Sequence, residues 1–238
     1  MPADFAKIAL LDRLYKLRRD SRRLSASVIT TYSINLPFYE DVVLRHLEAA
    51  GSRLNVVLVD GAELAKSFLV ESTRPRRAGR DYLLVPMRAG GAFHPKIIGL
   101  FSEEGMRIAL GSHNLTEAGF GRNGEISAMF GFDRQAAPLN IGQPIADYLI
   151  QCAGELAVGD AALSRRLADR LQMQSQRGDD ADGDVTFIGT RPGARTLLDT
   201  AFNREEVQRR GESLCLGLIS TTICGFSQSC ENASHEPS

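Results

Sequence analysis

His94 and Lys96 stand two positions apart in an apolar run, FHPKIIGLF. Gly111-Ser112-His113-Asn114 and then Glu125 follow within a few tens of residues. In a β-strand, residues i and i+2 project from one face, so this spacing sets an imidazole beside an ammonium. Such a surface attracts anions and is reactive. Taken singly, each residue has a plain structural explanation. A lone histidine on a strand is commonly a packing residue, and a lysine near it commonly runs its stem along apolar surface. Ser112 or Asn114 would serve as a helix cap, with Glu117 three places beyond Asn114 in capping-box register. The case for chemistry rests on their conjunction.

The elements that must hold these residues follow from patterning. Ser27 to Tyr32 (SVITTY) is β-branched and aromatic, hence a strand. Pro37 suits the first turn of a helix over about 38–50, which Gly51 ends. Leu54 to Val59 is continuously apolar, as in a strand covered on both faces. Asp60 with Glu63 reads as the cap of a short helix through Phe68, against the alternative that Asp60 is catalytic. Tyr82 to Met87 is a strand with Pro86 near its end. Phe93 to Phe101 and Met106 to Leu110 form a hairpin across Ser102-Glu-Glu-Gly105, and Gly124 to Phe132 is a further strand. Two helical segments occupy 141–176, then a polar linker, a strand at Val185–Ile188 and a helix over 195–208. Strand, helix, strand, helix at the start implies an α/β domain with right-handed crossovers.

Arginines gather in two places. Arg13, Arg18, Arg19, Arg22 and Arg23 end an amphipathic helix built on Leu10, Leu14 and Leu17. They match the dipole of a helix C-terminus or, alternatively, meet a phosphate backbone. Arg74, Arg76, Arg77 and Arg80 fill a turn-prone loop. Either they are solvated, or they grip phosphates beside a scissile bond.

Composition limits the rest. With 28 Lys plus Arg against 29 Asp plus Glu in 238 residues, polyanion binding has to come from local patches. An apolar content of 43% is ordinary for a globular chain. The charged opening segment is not patterned as a secretory signal, and no apolar run approaches the roughly 18 residues of a membrane span. Cys152, Cys215, Cys224 and Cys230 form no C-x-x-C. The expectation is therefore a reducing, cytoplasmic setting with no membrane and no zinc.

The order His94-x-Lys96, Gly111-Ser112-x-Asn114, Asn123-x-Glu125 resembles the phospholipase D superfamily, whose signature is H-x-K followed by G-S-x-N and a downstream acid. The resemblance covers about residues 25–135. It implies an α/β fold with a phospholipase D-like mixed, largely parallel sheet flanked by helices on both faces. One departure stands out: the family's fuller pattern has Asp where this chain has Phe101. That Asp is regarded as structural, and a branch similar to metal-independent restriction endonucleases lacks it.

The resemblance implies a phosphodiester hydrolase that needs neither cofactor nor metal. His94 would attack phosphorus and form a phosphohistidine. Lys96 and Asn114 would hold phosphoryl oxygens, Ser112 would add a hydrogen bond, and Glu125 would orient an imidazole. The chemistry calls for a second histidine to protonate the leaving oxygen. One H-x-K supplies one, so a homodimer or a missing second repeat is expected. Nucleic acid, with DNA favoured, is the expected substrate and partner. The alternatives are a catalytically inactive DNA-binding or scaffold module and a phospholipid phosphodiesterase.

Four regions follow: a helix over 1–24, the catalytic domain over 25–176, linker and helix over 177–213, and 214–238. Arg22-Arg23 before Val28-Ile29-Thr30-Thr31 is echoed by Arg209-Arg210 before Leu218-Ile219-Ser220-Thr221-Thr222. The last region is thus either the start of a truncated second repeat or a tail.

Overall fold

The computed structural model describes residues 23–88, 92–133 and 142–154, together with strands at 185–189, 214–219 and 222–227. The expected helices over 1–24 and 195–208, the second helical segment before residue 176 and the linker lie outside the described residues.

Six strands form one open sheet: β1 (Leu24–Thr31), β2 (Leu54–Asp60), β3 (Leu83–Met87), β4 (Ile97–Ser102), β5 (Gly105–Gly111) and β6 (Ser127–Asp133), in the order β3-β2-β1-β4-β5-β6. β1 runs parallel to β2 and β2 to β3, while β1–β4, β4–β5 and β5–β6 are antiparallel. The sheet is mixed as expected, but its parallel part is smaller than the sequence suggested. Parallel neighbours need a crossover. The chain supplies one after β1 and one after β2, whereas only Glu103 and Glu104 separate β4 from β5.

The crossover after β1 is one helix in three consecutive pieces: α-helical Leu36–Phe38, a π-helical stretch Tyr39–Val43 and α-helical Leu44–Ala49, together α1. Asn35 caps it by accepting from the Phe38 N–H, and Pro37 sits in its first turn, where a missing N–H costs nothing. Gly51, at φ +99°, closes it in the left-handed region that favours glycine. The crossover after β2 contains α2 (Gly61–Ser67), capped by Asp60 through the N–H groups of Ala62 and Glu63.

Helices cover both faces of the sheet. Phe38, Tyr39, Val43, Leu44 and Leu47 of α1 pack with Ile29, Val57, Ile98 and Leu100. On the opposite face α3 (Gly142–Gly154) sets Ile145, Tyr148, Leu149 and Cys152 against Val28, Val56, Leu58, Phe101 and Ile108. Val56 to Val59 are all fully buried, as a strand between two helical layers requires. Phe101, where the signature that the sequence resembles has Asp, belongs to this core. Its ring occupies the space that Gly99 leaves open two residues earlier on the same face. A buried carboxylate there would need partners that this apolar packing does not offer.

A second sheet has the order β7-β9-β8, from β7 (Val185–Gly189), β8 (Leu214–Ile219) and β9 (Thr222–Ser227). β8 and β9 pair as a hairpin. That differs from β1, whose hydroxyl-rich end leads into a helix. No helix among the described residues is long and apolar enough to cross a membrane.

Candidate active site

The chemistry-bearing residues meet where β1 and β2 end. β4 begins there, because Ile97 pairs with Thr30 and runs antiparallel to β1. His94 and Lys96 lie in the extended lead-in to β4 and not in the ladder itself. Hydrogen bonds from β1, β2 and β5 fix that lead-in. The Phe93 N–H donates to Asp60 Oδ2 at 2.8 Å, and the Ile97 N–H donates to Thr30 Oγ1 at 2.9 Å. The Lys96 carbonyl accepts from the Gly111 N–H at 3.1 Å. Pro95 confines His94 to extended backbone. The side-by-side emergence of imidazole and ammonium therefore survives without regular pairing: Lys96 Nζ is 2.8 Å from His94 Nδ1 and 3.3 Å from Nε2, and it donates to the His94 carbonyl at 3.0 Å.

Lys96 is 3% exposed. Burial disfavours its charge, and although Glu125 pulls the other way, its pKa is lowered from 10.5 to about 8. The ammonium thus lies near its titration point and close to an imidazole.

Ser112, Asn114 and Glu125 sit at the exit of β5 and just before β6. The Ser112 hydroxyl donates to Glu125 Oε2 and accepts from the Ile126 N–H at 3.1 Å, while the Ser112 N–H donates to the Ile126 carbonyl at 3.0 Å. Asn123 Nδ2 donates to the other Glu125 oxygen at 3.2 Å. Glu125 precedes the strand expected to carry it, and these bonds hold its carboxylate on Ser112 and Asn123 while its charge acts on Lys96.

Asn114 does not cap the short π-helical turn that follows, Ala118–Arg122; Glu117 occupies that position. Its Oδ1 accepts from the Ser33 N–H at 3.3 Å. A backbone N–H can only donate, which assigns the oxygen to this side and leaves the amide nitrogen facing away. Two glycines permit the close packing. A Cβ at Gly111 would stand 2.4 Å from the Ile126 carbonyl oxygen, and one at Gly119 would stand 2.4 Å from the Asn114 carbonyl oxygen.

Several positioning groups carry no sequence signal of their own. Thr31 Oγ1 accepts from the Leu115 N–H at 2.9 Å and donates to the Ser33 carbonyl at 2.8 Å, tying the end of β1 to the Asn114 loop. Tyr32 lays its ring against His94, with centroids 4.5 Å apart and planes at 48°. His113, between Ser112 and Asn114, points the other way, into the protein. Its Nδ1 is 2.9 Å from Ser127 Oγ, its ring meets Phe120 edge-on, and its Nε2 is buried without a hydrogen-bond partner. Burial lowers its pKa to about 4, so it is neutral at physiological pH.

The arginine loop is placed elsewhere. It enters β3 at Leu83, which pairs with Val56, whereas His94 lies toward the end where Met87 pairs with Asp60. Arg76 binds Glu40 and Asp41, Arg77 binds Glu48 and Asp81, Arg80 binds Asp81, and Arg74 Nε donates to the Phe68 carbonyl. Among the described residues, no three His, Cys, Asp or Glu side chains gather as metal ligands.

The open mixed sheet between helices, with H-x-K leading into β4 and G-S-x-N leaving β5, is a fold that this chain shares with solved structures. Among solved structures that share it is yeast tyrosyl-DNA phosphodiesterase, at TM-score 0.52 and 13% identity, over 87% of this chain and 49% of that one. A mutant of the same enzyme gives TM-score 0.51 at 14% identity, again over 87% and 49%. Nuc from Salmonella typhimurium, described as a phospholipase D family member, aligns at TM-score 0.33 and 14% identity, over 72% of this chain and 88% of that one. The chain spans about half the length of the tyrosyl-DNA phosphodiesterases it resembles. No family model and no curated protein matches the sequence.

Proposed function

We propose that this chain hydrolyses phosphodiesters in nucleic acid, DNA in preference, through a phosphohistidine on His94. The observation that carries the reading is the buried ammonium of Lys96, 2.8 Å from the His94 ring. An ammonium donating to a ring nitrogen requires that nitrogen to be unprotonated, so the arrangement favours a neutral imidazole, the form that attacks phosphorus. On substrate arrival, the non-bridging oxygens draw Lys96 Nζ off the ring and take the free N–H donors of Asn114. The ring nitrogen is thereby uncovered as the phosphate charge is neutralised. Ser112, fixed by Glu125 and Ile126, completes the polar wall. Lys96 and Asn114 supply the charge and donors that such a transition state needs. The preference for DNA draws support from the shared fold with tyrosyl-DNA phosphodiesterase.

The leaving oxygen needs a proton. His46 is bound through Nδ1 to the Val42 carbonyl on α1, and His113 is buried and neutral, so neither is placed to donate it. His235 lies outside the described residues, and the reading assigns the second imidazole to another copy of the chain or to a second H-x-K unit. Hydrolysis of bis(p-nitrophenyl) phosphate and plasmid DNA in EDTA tests the reading. His94→Ala is expected to lose at least about 10³-fold in kcat. Acid quench during turnover should trap an acid-labile phosphoryl group on the wild type and none on the variant. Unchanged turnover in His94→Ala, or activity that appears only with added metal, sinks the mechanism. Full activity in a strict monomer of this chain removes the two-imidazole requirement.

A further inference from the structure

We infer that His113, the residue between Ser112 and Asn114, is a positioning residue for the G-S-x-N loop, tying it to the start of β6 through Ser127. The role rests on the reading above, in which Ser112 and Asn114 meet the phosphate. The ladder between β5 and β6 ends at the pair Gly111 and Ser127. Past that pair the two segments are joined on both sides. Ser112 takes the site side, donating its N–H to the Ile126 carbonyl and accepting at Oγ from the Ile126 N–H. His113 takes the inward side, with Nδ1 2.9 Å from Ser127 Oγ. Successive side chains of extended backbone point to opposite faces, so a ring fixed inward turns Ser112 and Asn114 toward the site together.

Packing alone does not account for this ring. His113 is 3% exposed and Ser127 7%. Gly111 leaves the room in which they meet: a Cβ there would stand 2.6 Å from Ser127 Oγ and 2.7 Å from His113 Nδ1. The edge-on contact with Phe120 would serve a phenylalanine equally well. Nε2, by contrast, is buried without a hydrogen-bond partner, and that costs stability which an apolar ring would not lose. What the imidazole adds in return is the bond to Ser127. Burial keeps the ring uncharged, so it holds the loop without adding a second cation to the surroundings of Lys96.

The test sets turnover against stability. The double variant His113→Phe, Ser127→Ala replaces both partners of the bond, and the unpaired nitrogen, by apolar groups, so its Tm should equal or exceed that of wild type. Its kcat on bis(p-nitrophenyl) phosphate is nevertheless expected to fall about 10-fold. His113→Asn puts an amide where Nδ1 stands and omits the rest of the ring. It should melt below the double variant and yet keep kcat within about threefold of wild type. Amide hydrogen exchange gives a readout that needs no turnover. The Ser112 and Ile126 N–H groups, which report the seating of Ser112, should exchange about 10-fold faster in the double variant. Wild-type kcat in the double variant, or wild-type exchange at those two amides, overturns the inference. If wild type itself hydrolyses no phosphodiester, the reading above fails, while the exchange rates still decide whether His113 seats the loop. Should the double variant not fold, Ser127→Ala alone, which keeps the ring and removes the bond, decides by the same two readouts.

Discussion

Lys96 and Glu40 are both charged and both buried, at 3% and 0% exposure, yet their surroundings differ in kind. Glu40, on α1, accepts from the N–H groups of Arg76 and Arg77, from the Tyr82 hydroxyl and from Arg76 Nε, all between 2.8 and 3.3 Å. Its oxygens are supplied with donors, so its burial fastens a loop to a helix. Lys96 is held by an imidazole and a carbonyl, and the nearby carboxylate is committed to Ser112 and Asn123. Burial there outweighs attraction and lowers the pKa to about 8. A buried charge that is fully paired serves the fold. One whose charge burial disfavours, set beside an imidazole, is suited to chemistry.

The largest effect expected from this contrast is at Lys96. Lys96→Met should lower kcat/KM about 10²- to 10³-fold, the loss typical of one preorganised donor to a developing anion. The wild-type rate should fall as pH rises through about 8, where Lys96 loses its proton. Stability moves in the opposite sense. The folded pKa lies below the unfolded value of 10.5, so between about 8 and 10.5 the unfolded chain binds a proton that the native one does not. Stability from this group therefore rises with pH across that window, by on the order of 3 kcal/mol in all. Relative to Lys96→Met, wild-type Tm should climb from pH 8 to 10.5 while activity declines. A parallel fall of both would mean that the alkaline limb reports unfolding.

Next in size is Glu40. Glu40→Ala strands two backbone N–H groups and the Tyr82 hydroxyl, and should destabilise the fold by about 3–5 kcal/mol in urea unfolding. Turnover per folded molecule should be unchanged. A stable Glu40→Ala protein with lost turnover would break the comparison, because it would put the arginine loop in the active site.

The two regions also differ in how far residue order reveals them. Asp60 is legible as a cap because its partners are two and three residues away. The alternation and apolar runs of β1 and β2 announce strands, and the H-x-K, G-S-x-N and Glu125 spacing singles out the site. Spacing says nothing about bonds that join distant positions, such as Asp60 to Phe93, Thr30 to Ile97 or Thr31 to Leu115, separated by 33, 67 and 84 residues. The hydroxyls ending β1 are a faint signal, since an apolar strand finishing in Thr-Thr needs a use for them. Tyr32 reads as an ordinary strand aromatic until His94 is folded against it. Strand direction is likewise hidden, because an apolar run looks the same in a parallel and an antiparallel ladder. The arginines of 74–80 suggest phosphate binding in the sequence, and residue order does not display that Arg76, Arg77 and Arg80 meet carboxylates 1 to 37 residues away.

The smallest effect concerns those arginines. If Glu40, Asp41, Glu48 and Asp81 already neutralise the loop, removing Arg76 and Arg77 together should barely alter how DNA affinity depends on salt. Each phosphate-bound arginine that is lost would flatten the slope of log K against log[salt] by about 0.9. The double Arg76→Ala, Arg77→Ala variant should therefore keep the wild-type slope. In thermal melts the loss should be larger at Arg77, which is 24% exposed, than at Arg76, at 59%. A slope flatter by nearly two units would show that the arginines exchange carboxylates for phosphates on binding. Glu40 would then be the release point of a DNA contact, and its saturation with donors would mark a resting state of the binding surface in place of a purely structural clamp.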